Sequence, residues 1–161
     1  MPLNKLREFL DSHNIRYLIF SHSLAYTAQG IAALTHISGK ELAKTVIVRI
    51  DGDLAMAVVP ASRHVDLSLL KRALGAKAVE LASELEFKDK FPDCEAGAMP
   101  PFGNLYGMAV YADESLTTNK EITFNANTHR DLMRMDWADL VRLVEPRILQ
   151  ITKAKVAQTA A

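Results

Sequence analysis

The run Gly97-Ala98-Met99-Pro100-Pro101-Phe102-Gly103 carries the most chemical information in this chain. Two consecutive prolines fix φ and remove two backbone donors, and glycines flank the segment. No helix interior or central strand accommodates that pattern. A stiff loop of this kind either reverses the chain or presents the backbone N–H groups of Gly97, Ala98 and Met99 to a bound group. Rigidly held amides of that sort stabilise the oxyanion of an ester under attack. Lys44 is the second residue of interest, because it heads an apolar strand-like run, Lys44-Thr45-Val46-Ile47-Val48-Arg49-Ile50. A lysine in that position either snorkels into water or sends its ammonium into a pocket.

The histidines are His13, His22, His36, His64 and His129, and none pairs with another at HxH or HxxxH spacing. With Cys94 the only cysteine, this argues against a zinc site and excludes an intrachain disulfide. Acidic neighbours, Asp93 and Glu95, would raise the Cys94 pKa, so a thiol nucleophile is disfavoured. His129 follows a strand and is either a pocket residue or a loop residue. His22 lies at a strand end, and Tyr26, Thr27 and Thr45 are polar groups that could read a small substrate or serve as caps and strand residues. Asp66 reads as a helix cap. Arg63, His64, Lys71 and Arg72 gather around one helix and could touch phosphates or form a solvated face.

The elements that must position these residues follow from periodicity. Leu3, Leu6, Phe9 and Leu10 predict an amphipathic helix ending near His13-Asn14. Tyr17 to Phe20 predicts a strand, and Thr27 caps an expected second helix. Lys44 to Ile50 and Leu54 to Val59 predict a hairpin around Asp51-Gly52-Asp53, apolar on both faces and so covered on both. Val65 to Leu74 predicts a helix with Asp66 as cap and Gly75 as stop. Leu81 to Phe87 predicts a short helix, Met108 to Tyr111 and Glu121 to Asn125 strands, and Thr117 to Lys120 a polar turn. Asp136 caps a last helix ended by Pro146, and the chain from Gln150 onward reads as a frayed tail.

At 161 residues, with 49% hydrophobic and 24% charged residues, the chain predicts one α+β domain over residues 1–149, with 150–161 as its tail. Nineteen basic residues balance nineteen acidic ones, which argues against a protein that coats nucleic acid through bulk charge. The N-terminus has no signal-peptide apolar core and no run approaches a membrane span, so a cytoplasmic location is expected.

A colinear set of segments resembles the YbaK/ProX family of aminoacyl-tRNA deacylases, related to the editing insertion domain of bacterial prolyl-tRNA synthetases. The matching pieces are Phe20-Ser21-His22 with Tyr26-Thr27-Ala28, then Ala43-Lys44-Thr45-Val46. Next come Val59-Pro60-Ala61-Ser62-Arg63, Val65-Asp66-Leu67 and the proline loop. Phe124-Asn125-Ala126-Asn127-Thr128-His129 and the closing Asp139-Leu140, Leu143-Val144 and Pro146 complete it. The chain departs from the family at Asn127, where glycine is usual. Asparagine tolerates the left-handed region better than other non-glycine residues.

The resemblance implies a curved, barrel-like mixed sheet with surrounding helices. It also implies trans hydrolysis of the ester joining a wrong amino acid to the tRNA 3′ end. Lys44 and the amides of Gly97, Ala98 and Met99 would be catalytic, with the substrate's ribose hydroxyl assisting and no metal or cofactor. His22, Tyr26, Thr27, Thr45, Pro100, Pro101, Asn127 and His129 would line the substrate pocket. The expected partners are a mischarged tRNA and an aminoacyl-tRNA synthetase, with no membrane or DNA. Alanine, serine, threonine and cysteine esters all stay open as substrates. Two rival readings are a module that binds tRNA ends or a synthetase without turnover, and a hydrolase of another small aminoacyl or peptidyl ester.

Overall fold

The computed structural model describes residues 4–21, 41–92, 94–95, 97–128 and 130–153. The first helix, α1 (Asn4–Ser12), buries Leu6 and Leu10 completely, as their spacing requires. It stops where Asn14 enters the left-handed region at φ 57°. The second expected helix, from Thr27, lies outside the described residues.

The hairpin forms as its β-branched, apolar composition demands. β2 (Ala43–Ile50) pairs antiparallel with β3 (Asp53–Pro60), Lys44 opposite Val59 and Ile50 opposite Asp53. Side chains alternate across the sheet. Ala43 and Ile47 of β2 and Met56 and Val58 of β3 enter one core cluster. Val46 and Val48 with Ala55, Ala57 and Val59 enter another, together with Leu70 and Ile151. The sheet is therefore covered on both faces.

Helix α2 (Leu67–Leu74) supplies Leu70 to the second cluster. The Asp66 carboxylate accepts the Leu69 N–H at 3.0 Å, and Gly75 at φ 63° ends the helix by donating to Arg72 and Lys71 carbonyls. After it come β4 (Val79–Leu81), a single turn α3 (Glu84–Phe87) and β5 (Ala109–Asp113). Then follow β6 (Glu121–Asn125), β7 (Asp131–Asp136), α4 (Trp137–Val144) and β8 (Arg147–Leu149). Residues 114–118, expected as a polar turn only from Thr117, form a 3-10 helix.

The described strands form two sheets. One is antiparallel with order β1 (Tyr17–Ser21), β7, β6, and the other is mixed with order β4-β2-β3-β5-β8. An isolated parallel bridge between Leu42 and Thr123 links them. The molecule is the α+β architecture expected, but neither sheet closes, so barrel-like overstates its curvature. Among the described residues, no helix is long and apolar enough to cross a membrane.

Three strands depart from the sequence reading. Leu81 ends β4, which pairs with β2 through Val79 and Ile50, instead of starting a helix. β7, rich in Leu and Met, is held between β1 and β6, where pairing overrides weak strand propensity. β8 exists through parallel pairing with β5. The expected frayed tail is likewise packed at its start. Ile151 and Thr152 are buried, and both their N–H groups donate to the buried Asp113 carboxylate, at 2.9 and 3.0 Å.

Asp66 makes a measurable prediction. The Leu69 N–H, aided by Lys153, holds its carboxyl below the usual aspartate range. A depressed native pKa stabilises the fold above the unfolded value and loses that contribution as pH falls through the native one. Asp66→Ala should cost about 0.5–2 kcal/mol near neutral pH. That difference should shrink below about pH 4 in urea unfolding of the two proteins.

Candidate functional site

The proline loop is built inward from its C-terminal half. Pro100, Pro101, Phe102 and Gly103 are all buried, and the Phe102 ring packs on Phe124 at 5.7 Å between centroids. Gly103 cannot be replaced cheaply, because a Cβ there would strike the Met108 carbonyl oxygen and a Val110 methyl. Pro100 and Pro101, expected against substrate, are buried, and apolar rings without N–H groups bury without leaving donors unsatisfied.

In the N-terminal half only Gly97 is exposed, while Ala98 and Met99 are buried. Ala98 N–H donates to the Glu95 carbonyl at 3.0 Å, closing a turn in which Gly97 has φ 82°. Asn127 fastens this turn from the other side. Its carbonyl accepts the Glu95 N–H at 2.8 Å, and its N–H donates to the Ala98 carbonyl at 3.0 Å. The expected trio of amides therefore narrows, since the Ala98 donor is spent within the loop. Among the described residues, no acceptor meets the N–H of Gly97 or Met99. Gly97 is exposed, and Met99 is only 5% exposed.

Asn127, expected to face substrate, is fully buried at φ 74°. Its side chain contacts Cys94 and Tyr106. Tyr106 drew no attention in the sequence, where nothing in its local pattern ties it to residue 127. Its ring lies 4.6 Å from Phe91 and carries Lys5 Nζ at 4.7 Å from its centroid.

Along β2, Lys44 and Thr45 occupy opposite faces. Thr45 shares the face of Ala43 and Ile47, whose core cluster includes Met99, Phe102 and Ala126. Its Oγ1 is buried and has no hydrogen-bond partner among the described residues. A buried hydroxyl left in that state marks a place where a polar ligand atom would be favourable. Lys44 faces the other cluster and is half-buried, with Nζ 3.4 Å from His64 Nδ1. Burial pushes its pKa below the ordinary lysine value. No described contact joins Lys44 to the loop.

The other candidates separate. His22, Tyr26, Thr27 and His129 lie outside the described residues. Arg63 turns inward, donating to Thr152 Oγ1 at 3.1 Å and lying 3.8 Å from the Asp113 carboxylate. Lys71 and Arg72 stand exposed in the last turn of α2.

Residues 22–143 match the model of the aminoacyl-tRNA editing domain, and the chain belongs to that family. It is 27% identical over 120 residues to the proline–tRNA ligase of Bacillus mycoides (strain KBAB4) and 28% identical to that of Bacillus cytotoxicus. In each case 68% of this chain is covered but only 21% of the ligase, so the chain spans about a fifth of the length of these relatives. Among solved structures, it resembles a candidate trans-editing enzyme for prolyl-tRNA synthetase (TM-score 0.81, 18% identity, 95% of this chain and 98% of that one). The hypothetical protein APE2540 is similar too (TM-score 0.83, 19% identity, 93% and 100% covered). Both likenesses concern the fold.

The Lys44 environment has a pH consequence. Between its lowered native pKa and the ordinary lysine value, the unfolded chain binds more protons, so stability rises with pH over that interval. Lys44→Met removes this dependence. Its stability relative to wild type should therefore be greatest near neutral pH and fall toward about pH 10, as read from urea midpoints.

Proposed function

We propose that this chain hydrolyses, in trans, the ester linking a mismatched amino acid to the 3′ end of a tRNA. The observation that carries this reading is the loop itself. Its proline half is buried in the core, while among the described residues nothing accepts the N–H groups of exposed Gly97 and buried Met99. Membership of the editing-domain family supports the choice of substrate.

In this reading the ester carbonyl lies against those two N–H groups, which take up the negative charge as the carbon becomes tetrahedral. Such donors need no rearrangement during the reaction, which makes them effective. The Thr45 hydroxyl offers a polar contact to the aminoacyl group from the same side of β2. Lys44 acts from the opposite face as a point charge for the phosphate or ribose of the terminal nucleotide. Water attacks the ester carbon, the substrate's ribose hydroxyl positions it, and the ester oxygen leaves with a proton. Free amino acid and uncharged tRNA result, with no metal required. A mischarged tRNA is thus the proposed partner, and a synthetase that releases it a further one. Small side chains are the expected cargo, because synthetase pockets discriminate poorly among them.

A panel of tRNAs, each carrying one wrong amino acid, tests this directly under multiple-turnover conditions. Wild type should release amino acid from at least one of them. Met99→Pro, which deletes one unspent donor, should slow release by about 10²–10³-fold if that amide meets the oxyanion. Lys44→Ala should raise KM for tRNA more than it changes hydrolysis of an aminoacyl-adenosine. Binding of charged tRNA without release would point instead to a non-catalytic module, and hydrolysis indifferent to tRNA would point to another small ester.

A further inference from the structure

Asn127 does more than reverse the chain after β6. Its Nδ2 donates to Cys94 Sγ at 3.2 Å and lies 3.4 Å from Tyr106 Oη, while Sγ and Oη are 3.5 Å apart. The same residue's main chain is bonded to Glu95 and Ala98. One buried residue therefore grips the loop where it begins, where it turns, and at the ring that follows it. That ring is itself held, by Phe91 on one contact and Lys5 on another.

We propose that Asn127 is a positioning residue that fixes the direction of the Gly97 and Met99 amides through this double grip. The proposal rests on the functional reading above for its effect on rate, but not for the grip itself. The main-chain pair sets the height of the turn, with Gly97 lying between the two residues bonded and Met99 directly after them. The carboxamide adds what the main chain lacks, a tie from Cys94 to Tyr106 across the base of the loop. Without it the loop keeps its pairing but gains freedom at its N-terminal end. Displacement of about 1 Å in a reacting geometry costs up to about 10²-fold in rate.

Asn127→Gly isolates the carboxamide, because glycine adopts φ 74° without strain and preserves both main-chain bonds. Cys94 lines a cavity of about 70 Å3 beside the loop, together with Phe87, Phe91, Glu95 and Met99, and so provides a readout that needs no turnover. In Asn127→Gly, iodoacetamide should alkylate Cys94 severalfold faster than in wild type. The kcat for deacylation should fall about tenfold while KM stays within about twofold. Tyr106→Phe should shift both readouts in the same direction by less. Adding it to Asn127→Gly should change little, since both act through one network. Leu70→Ala, a truncation in α2 within the core cluster that holds no loop residue, controls for lost stability and should leave alkylation and kcat near wild type. Equal alkylation rates in wild type and Asn127→Gly would overturn the grip. Faster alkylation with unchanged kcat would overturn its role in positioning. If wild type releases no amino acid from any charged tRNA, the functional reading falls while alkylation still decides the grip.

Discussion

The main-chain exchange between the Glu95–Ala98 turn and Asn127 is the constraint on which the candidate site depends. Two hydrogen bonds hold an exposed turn against the buried end of a strand, and a third, within the turn, consumes the Ala98 donor. What the loop can offer a ligand is what remains after those bonds are made. Because Pro100 and Pro101 carry no N–H, the inward half of the loop can be buried among Phe102, Phe124 and Met108 without orphaned donors. Rigidity and spare amides thus arise from one arrangement.

β2 is the second organising element. It lies between β3 and β4, and its residues alternate between two separate apolar clusters. That alternation parts neighbours in sequence: Thr45 goes to the side of the proline loop, and Lys44 to the side of His64 and α2. Burial of the Lys44 ammonium is electrostatically costly, as its lowered pKa reflects. The C-terminal segment is drawn into the same side by Asp113, which accepts the Ile151 and Thr152 N–H groups, and Arg63 is engaged there with it. An arginine that looks available for phosphate in the sequence is thereby turned to internal use.

The departures from the sequence reading share a physical cause. Val79–Leu81, Asp131–Asp136 and Arg147–Leu149 are strands because a partner strand is in place, and each is short or built from residues indifferent to extended structure. Pairing energy comes from residues far away in the chain, which a local pattern does not contain. Asn127 is the sharpest case. Its type announces tolerance of the left-handed region, and φ 74° agrees, but its side-chain contacts with Cys94 and Tyr106 are nowhere in the local pattern.

Local chemistry alone settled the hairpin, the caps of α2, the stiffness of the proline loop and, through a colinear set of short segments, the editing-domain family. Those features depend on steric limits, side-chain periodicity and residue order, all of which are written along the chain. The tertiary structure decided which loop amides meet an acceptor among the described residues, on which side of β2 each polar residue stands, and what Cys94, Tyr106 and Asn127 have to do with one another. These are hydrogen-bonding outcomes among residues up to 33 positions apart, as for Asn127 and Cys94, and they exist only once packing has chosen each group's neighbour.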